Sequence, residues 1–442
     1  MEWLYLDAQV SQIGYPIILF YLVAIMGVIL IFLKPSWAFL FSVFCLAARN
    51  YHAAVFTRIQ PFGAYLNLND LLEWIAIISM IIYSIKIKRK IWVPGILLVI
   101  LGLIAIGNLQ SLIKYGFEEE VLRRIWSTSI FPIMFLTSAN MVFDENRAKR
   151  LYWALFLGAV FAAFQHMFFI LDKIKFLVNN YAELRIISYL FSGGIYLLIS
   201  AIYFPLKTKN RDFFVLYYIC LGLIFISFIF SFTRTYWISA LLSTFFTFFL
   251  VKSNRISLKS AFRFIMYLVI GIVIISFLFS QIEITKQIIE RIGSIATKEG
   301  FHSSYDSRQK GMLTELSIWL NGSILLGSGS SLPLEYERAS PLETGALGHV
   351  AFSTYLAHFG LIGILIYLFL LPYQTIKLAK VLLFSYLESY KSKIAIIALV
   401  CSLMGVTSFL SSECYIEPTS HIQGIIYGAV FGLYKNLKKI SY

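Results

Sequence analysis

Charge is scarce in this chain. Only 14% of its 442 residues are Asp, Glu, Lys or Arg, against about 25% in a soluble domain, and 59% are hydrophobic. Water is therefore not its main solvent. Cysteine is rare as well: of four, Cys45, Cys220 and Cys401 fall inside apolar runs and Cys414 near an end, which yields neither a disulfide framework nor a zinc site. No Lys or Arg precedes Lys34. The basic start of a cleavable signal peptide is missing, and the first apolar run is expected to stay as a span. Short alternating segments of about ten residues, the mark of a transmembrane barrel, are also missing, since stretches such as LVAIMGVILIFL do not alternate.

What the chain has instead is a series of long apolar runs. Each matches the roughly 20 residues a helix needs to cross hydrocarbon, and in lipid the backbone must satisfy its own hydrogen bonds, so the runs are helices. The expected fold is an all-α polytopic membrane protein with about thirteen spans, twelve to fourteen, at 16–33, 36–50, 69–86, 92–108, 124–142, 151–171, 185–204, 213–230, 235–251, 263–281, 350–372, 394–411 and 420–434. Residues 1–281 form an N-terminal bundle of about ten helices, 282–349 a large loop, and 350–442 the C-terminal helices.

Basic residues set the orientation. Lys34, Lys86–Lys90, Arg147–Arg150, Lys207–Arg211, Lys252–Arg263, Lys377–Lys393 and Lys435–Lys439 fall on one side and hold 22 of the 37 Lys and Arg. Nine of the others lie in short loops on the opposite side and six in the long loop, which the rule discounts. The richer side is cytoplasmic. Only Asp144, Glu145, Asp212 and Glu388 of the 23 acids accompany it, so the net charge of +14 expresses topology and not nucleic-acid binding. The 282–349 loop then lies outside. QIEITKQIIERIGSIA spaces Ile282, Ile289 and Ile292 helically, and SRQKGMLTELSIWLNG holds Leu313, Leu316, Ile318 and Leu320, so two helices with apolar faces should precede the GSGSS turn. The loop is expected to lie on the membrane and close over an outward-facing cavity.

Four outer features carry chemistry-bearing residues. SFTRTYW sets Arg234 at the start of a span, where a snorkelling anchor beside Tyr236 and Trp237 is the ordinary explanation. YDSRQKGMLTELSIWL brings Arg308 to an amphipathic helix. LLGSGSSLP, residues 325–333, permits a tight turn with exposed backbone N–H groups, yet lacks the lysine of a phosphate-binding loop; a simple turn is the plainer reading. GHVAFSTYLAHFGLIGILIYLFLL opens on His349. His358, nine residues on, is about 900° of helix rotation away and faces the other side. His52, His166, His302 and His421 are also outer residues, so location alone does not select His349.

In their order and spacing, SFTR, SRQKG…W, LGSGS and GHVAFSTYLAHFGLIG resemble the O-antigen polymerase and O-antigen ligase superfamily of bacterial polysaccharide assembly. The likeness covers residues 231–372; Val350 stands where the family commonly has Asn. The resemblance implies a GT-C-like fold in the bacterial inner membrane and an active site facing the periplasm. It implies a glycosyltransferase that moves a glycan from an undecaprenyl-diphosphate carrier to an acceptor hydroxyl, with inversion and with neither metal nor cofactor. His349 would be the base, Arg234 and Arg308 the diphosphate ligands, and Arg291, Arg338 and Tyr305 further substrate contacts. Its partners would be lipid-linked donor and acceptor, the bilayer and a chain-length regulator, with no nucleic acid. A polymerase of lipid-linked repeat units leads. A ligase to lipid A-core is the alternative, and a lipid-linked oligosaccharide flippase comes from a different class, although no repeat of two halves is visible in the sequence.

Overall fold

The protein is described by a computed structural model at residues 15–48, 68–173, 192–203, 210–229, 234–251, 311–331, 351–385, 389–408 and 420–440. Among these residues every regular element is helical, apart from one isolated bridge between Ser323 and Gly327. In chain order the helices are α1 (Tyr15–Leu33), α2 (Pro35–Ala48), α3 (Leu68–Lys86), α4 (Gly95–Tyr115), α5 (Glu119–Met141), α6 (Glu145–Lys173), α7 (Ser192–Tyr203), α8 (Arg211–Ile229) and α9 (Arg234–Val251). There follow α10 (311–321), α11 (Ala351–Ile364), a π-helical turn (Leu365–Leu370), α12 (Leu371–Ser385), α13 (Tyr390–Ser408) and α14 (Ser420–Ile440).

Each apolar run of the sequence is represented by a helix except 263–281, which lies outside the described residues. Five stretches are long and apolar enough to cross a membrane: Leu68–Lys86, Gly95–Tyr115, Arg211–Phe228, Phe352–Ser385 and Tyr390–Thr407. Their outward faces are apolar as well, with Ile85, Ile113 and Leu365 70%, 78% and 60% exposed. Such a surface needs lipid, not water. The protein is an all-α membrane protein.

Several helices exceed their expected lengths, two of them for visible reasons. α4 continues past residue 108 to Tyr115, because the polar residues that seem to end it, Asn108, Gln110 and Ser111, belong to its inner part and Ser111 is fully buried. The 350–372 run continues through α12 to Ser385. Within it, Leu371 N–H reaches back to Ile366 O, and this widened turn accommodates Pro372, whose nitrogen has no hydrogen to donate.

The tightest helix pair is α14 on α5. Gly424, Gly428 and Gly432 recur every four residues and form one stripe on α14. A Cβ at these positions would stand 2.6 Å from Phe131 O, 2.2 Å from Phe135 O and 2.3 Å from Val142 O. In a bilayer, where apolar surface gains nothing by leaving lipid for protein, such close backbone approach is what binds helices. Edge-to-face rings of Phe131 with Tyr427 and of Phe135 with Phe431 flank the stripe.

The bundle has two chemically different ends. At one, cations lie on aromatic rings and helix carbonyls. Lys86 Nζ donates to Phe32 O at 2.9 Å, and Lys34 and Arg150 sit over Trp37. Arg89 and Arg147 both lie 4.0 Å from the Phe143 ring. Lys435 lies over Trp92, and Lys149 and Lys393 over Tyr390. Glu145 accepts the N–H groups of Tyr390 and Lys391, capping α13. Burial, with Arg147 close by, holds the Arg89 guanidinium below its ordinary range. The opposite end holds the starts of α3, α5, α11 and α14.

The glycine stripe predicts an asymmetric tolerance. Gly428→Leu should lower the unfolding midpoint of detergent-solubilised protein, at a cost of roughly 1–3 kcal/mol or more from overpacking. Gly222→Ala, where no atom lies within 4 Å of the new Cβ, should leave it unchanged or raised. Equal midpoints for both variants would show that α14 is not seated on α5 in this way.

Candidate functional site

The end opposite the basic belt contains a helix that is broken and mended by another segment. α11 leaves helical geometry at Gly360, whose φ of 61° and ψ of −159° suit glycine alone. In an intact helix Leu361 and Ile362 would donate to Ala357 and His358. Here they donate instead to Ile324 O at 3.1 Å and Leu325 O at 3.2 Å. The two carbonyls left over accept from elsewhere in the same segment: Ser328 N–H reaches Ala357 O at 2.7 Å and Gly329 N–H reaches His358 O at 3.1 Å. Four backbone bonds replace the two that the break removes. Residues 323–331 thus form a wedge seated in α11.

The wedge is shaped by local chemistry. Ser323 and Gly327 exchange backbone bonds of 3.2 and 2.6 Å, and the Trp319 indole N–H donates to Ile324 O at 2.9 Å. Gly327 and Gly329 have φ of 72° and 108°. A Cβ on Gly327 would meet His358 O at 2.6 Å, and one on Gly329 would meet Ser111 Oγ at 2.6 Å. On its other side the wedge docks on α4, where Ser330 N–H donates to Gly107 O at 3.0 Å and Ser331 N–H to Ser111 Oγ at 2.8 Å. His358 Nδ1 binds Gly329 O at 2.9 Å.

This arrangement corrects two sequence readings. GSGSS is not a simple surface turn, for Ser330 and Ser331 are fully buried. Nor can its backbone cradle a phosphate, because the N–H groups of Ser328, Gly329, Ser330 and Ser331 all have protein acceptors. α10 turns the expected way round only in part. Its Leu313 and Leu320 are 54% and 64% exposed, whereas Glu315 is 2% exposed. The buried carboxylate accepts from Thr354 Oγ1 at 2.9 Å and from Ser353 Oγ, both on the first turn of α11. Glu315 therefore fastens α10 to α11, and the leucines are left facing outward.

Of the residues selected from sequence, Arg234 begins α9, but its side chain lies outside the described residues. Arg291, Tyr305, Arg308, Arg338 and His349 lie outside them as well, as does the expected helix around Ile282–Ile292. Arg308 precedes α10 by three residues and His349 precedes α11 by two. Those two helices are the ones that Glu315 joins. The sequence reading passed over Glu315; its signal was an acid inside an otherwise apolar TELSIWL run.

A second buried cluster lies at the starts of α3, α5 and α14. Glu73 and His421 form a hydrogen-bonded pair, each 1% exposed. One turn away the Trp126 indole N–H donates to Asp70 Oδ1 at 2.9 Å, and Trp126 stacks on Trp74 with ring centroids 5.2 Å apart. Burying a carboxylate is costly unless it is paired, which explains why the acid and the imidazole come together. His166 is fully buried as well, its Nδ1 2.5 Å from Ser227 Oγ. Among the described residues no three His, Cys, Asp or Glu side chains are grouped as a metal would require.

Removing the carboxylate of Glu315 should loosen the loop without unfolding the bundle. Glu315→Ala strips both hydroxyls of their acceptor and should cost about 1–3 kcal/mol, read as faster amide exchange in 311–321 and a lower unfolding midpoint. Glu315→Gln, which keeps one acceptor oxygen, should cost less. Unchanged exchange in Glu315→Ala would mean that α10 is held by something else.

No protein-family profile and no curated protein matches the chain.

Proposed function

We propose that the protein is a membrane glycosyltransferase that extends undecaprenyl-diphosphate-linked glycans at the outer face of a bacterial inner membrane. The basic belt lies on the cytoplasmic side in this reading, and the wedge and both buried carboxylate clusters lie toward the periplasm. The observation that carries it is the Glu315 contact with Ser353 and Thr354. It binds the helix that follows Arg308 to the helix that follows His349, as a site that needs both residues requires.

The residue types suit the chemistry. A departing lipid diphosphate gathers negative charge, and guanidinium groups stabilise it by paired, charge-assisted hydrogen bonds. Arg234 and Arg308 take that role, with Arg291, Arg338 and Tyr305 contacting the sugars or phosphates. His349, as the free imidazole, accepts the proton of the attacking hydroxyl. As the oxygen bonds to the anomeric carbon, the bond to the diphosphate breaks and configuration inverts. A growing chain moved onto a new repeat unit gives a polymerase; lipid A-core as acceptor gives a ligase. The donor chemistry is common to both.

A flippase is the second reading. It is favoured by the break in α11 and by the buried Glu73–His421 pair, since broken helices and buried ionisable pairs are parts from which transporters are made.

Purified protein supplied with lipid-linked repeat units and no energy source should lengthen the glycan, whereas a flippase would move the lipid without forming a bond. Running the assay with repeat-unit and lipid A-core acceptors separates polymerase from ligase. His349→Ala should lower turnover roughly 10²- to 10⁴-fold with donor binding retained. Arg308→Lys should also be poorly active, since an ammonium lacks the planar fork. Cysteines placed in 282–345 should react with an impermeant thiol reagent in outer-permeabilised cells, and one at Lys88 should not; the reverse pattern would put the chemistry on the cytoplasmic side.

A further inference from the structure

One residue pair joins the wedge to α11 through both backbone and side chain. His358 accepts the Gly329 N–H on its backbone carbonyl at 3.1 Å and binds the Gly329 carbonyl through its ring Nδ1 at 2.9 Å. A carbonyl oxygen cannot donate, so the proton in that bond is on Nδ1, and the ring's tautomer follows. His358 is 4% exposed and its ring lies beside Phe359. Gly329 is gripped on the other side as well. Its α-carbon lies against Gly107 and Ser111 of α4 so closely that a Cβ would stand 2.6 Å from Ser111 Oγ and 2.8 Å from Gly107 O.

We propose that His358 is a positioning residue that holds the wedge between α11 and α4 by donating Nδ1–H to Gly329. Its consequence lies at the two ends of the 332–350 segment, which carries Arg338 and His349. One end, Ser331, is tied to Ser111. The other, the first turn of α11, is tied to Glu315. The Ser331 end depends directly on how residues 323–331 sit in the break, the Glu315 end through α10, which leads into them, and His358 fixes that seat. This inference rests on the glycosyltransferase reading for its catalytic consequence, but not for the latch itself.

The two amide side chains test it, because they reproduce the two ring nitrogens separately. Asn carries its NH₂ on Cγ, as histidine carries Nδ1, whereas Gln sets it one atom farther out, near the place of Nε2. Full-length wild type, His358→Asn, His358→Gln and His358→Ala are compared in detergent by amide hydrogen exchange over 323–331 and by glycan chain extension. The N–H groups of residues 328–331 should be protected in wild type and in His358→Asn, and should exchange about tenfold faster or more in His358→Gln and His358→Ala. Turnover should follow the same division, falling about tenfold to a hundredfold in the two unlatched variants and recovering in His358→Asn. Peptides from α5 and α14 should keep wild-type exchange in all four, which separates loss of the latch from unfolding.

Wild-type protection in His358→Gln would overturn the latch, and so would rapid exchange in His358→Asn. Wild-type protection with lost turnover in His358→Asn would overturn the positioning role and assign the ring to proton transfer through Nε2. Absence of chain extension by the wild type with either acceptor would overturn the glycosyltransferase reading instead, and the exchange pattern would still decide the latch.

Discussion

A backbone amide released from a helix within a bilayer must find another protein atom, because hydrocarbon offers no partner and an unsatisfied group costs several kcal/mol. Gly360 lies nine residues into α11, about 13 Å of helix rise from its start, so the break falls well inside the bundle. That one constraint accounts for much of the surrounding structure. The wedge must supply two acceptors and two donors at fixed positions, which sets its length and its positive-φ glycines. It must also approach α4 closely, which requires Gly107 and Ser111 where they are. Irregular backbone in a membrane is tolerated where protein surrounds it, and here the enclosure is complete enough to consume every amide from Ser328 to Ser331.

Holding an irregular segment so firmly has a chemical use. Loops on soluble scaffolds are positioned by the elements at their ends, and the described residues that flank 332–350 are fixed in the same sense, Ser331 by Ser111 and the first turn of α11 by Glu315. The proposed transfer between two lipid-bound substrates would need groups of opposite character, cations for the diphosphate and a base for the hydroxyl, kept in register over many turnovers. A freely hinged loop would lose much of the advantage of fixed orientation.

The apolar runs made the helices legible, and the basic residues made one end of the bundle legible: Lys34, Arg147, Lys393 and Lys435 lie over Trp37, Phe143, Tyr390 and Trp92 in turn. Hydropathy failed where polar residues were internal. Asn108 and Ser111 look like the end of a span, yet α4 runs on past both to Tyr115, and Ser111, with the Gly107 carbonyl, is where the wedge docks. The glycines of LGSGS were legible as a turn, but not the insertion, because hydrogen bonds between residues 324–329 and 357–362 leave no mark on the local pattern of either segment. Glu315 was hidden for a related reason. An acid in an apolar stretch reads as the solvated side of a helix, and only the hydroxyls of Ser353 and Thr354, almost forty residues on, turn it inward.

The same logic links the two buried carboxylates at this end. Glu73 and Glu315 lie on different helices, yet each is nearly inaccessible and each faces a helix start, α14 through His421 and α11 through Ser353 and Thr354. Neither is needed to make its helix pair apolar enough to associate: α14 already has its glycine stripe against α5, and α11 is threaded by the wedge. What a buried carboxylate adds is directionality, because its partners must come to its oxygens at hydrogen-bond distance and removing one partner strands a charge. Packing fixes how close these helices lie; the carboxylates fix where their first turns stand. The first turns of α11 and α14 lie at the end opposite the basic belt, so the groups most costly to bury stand where these two helices begin.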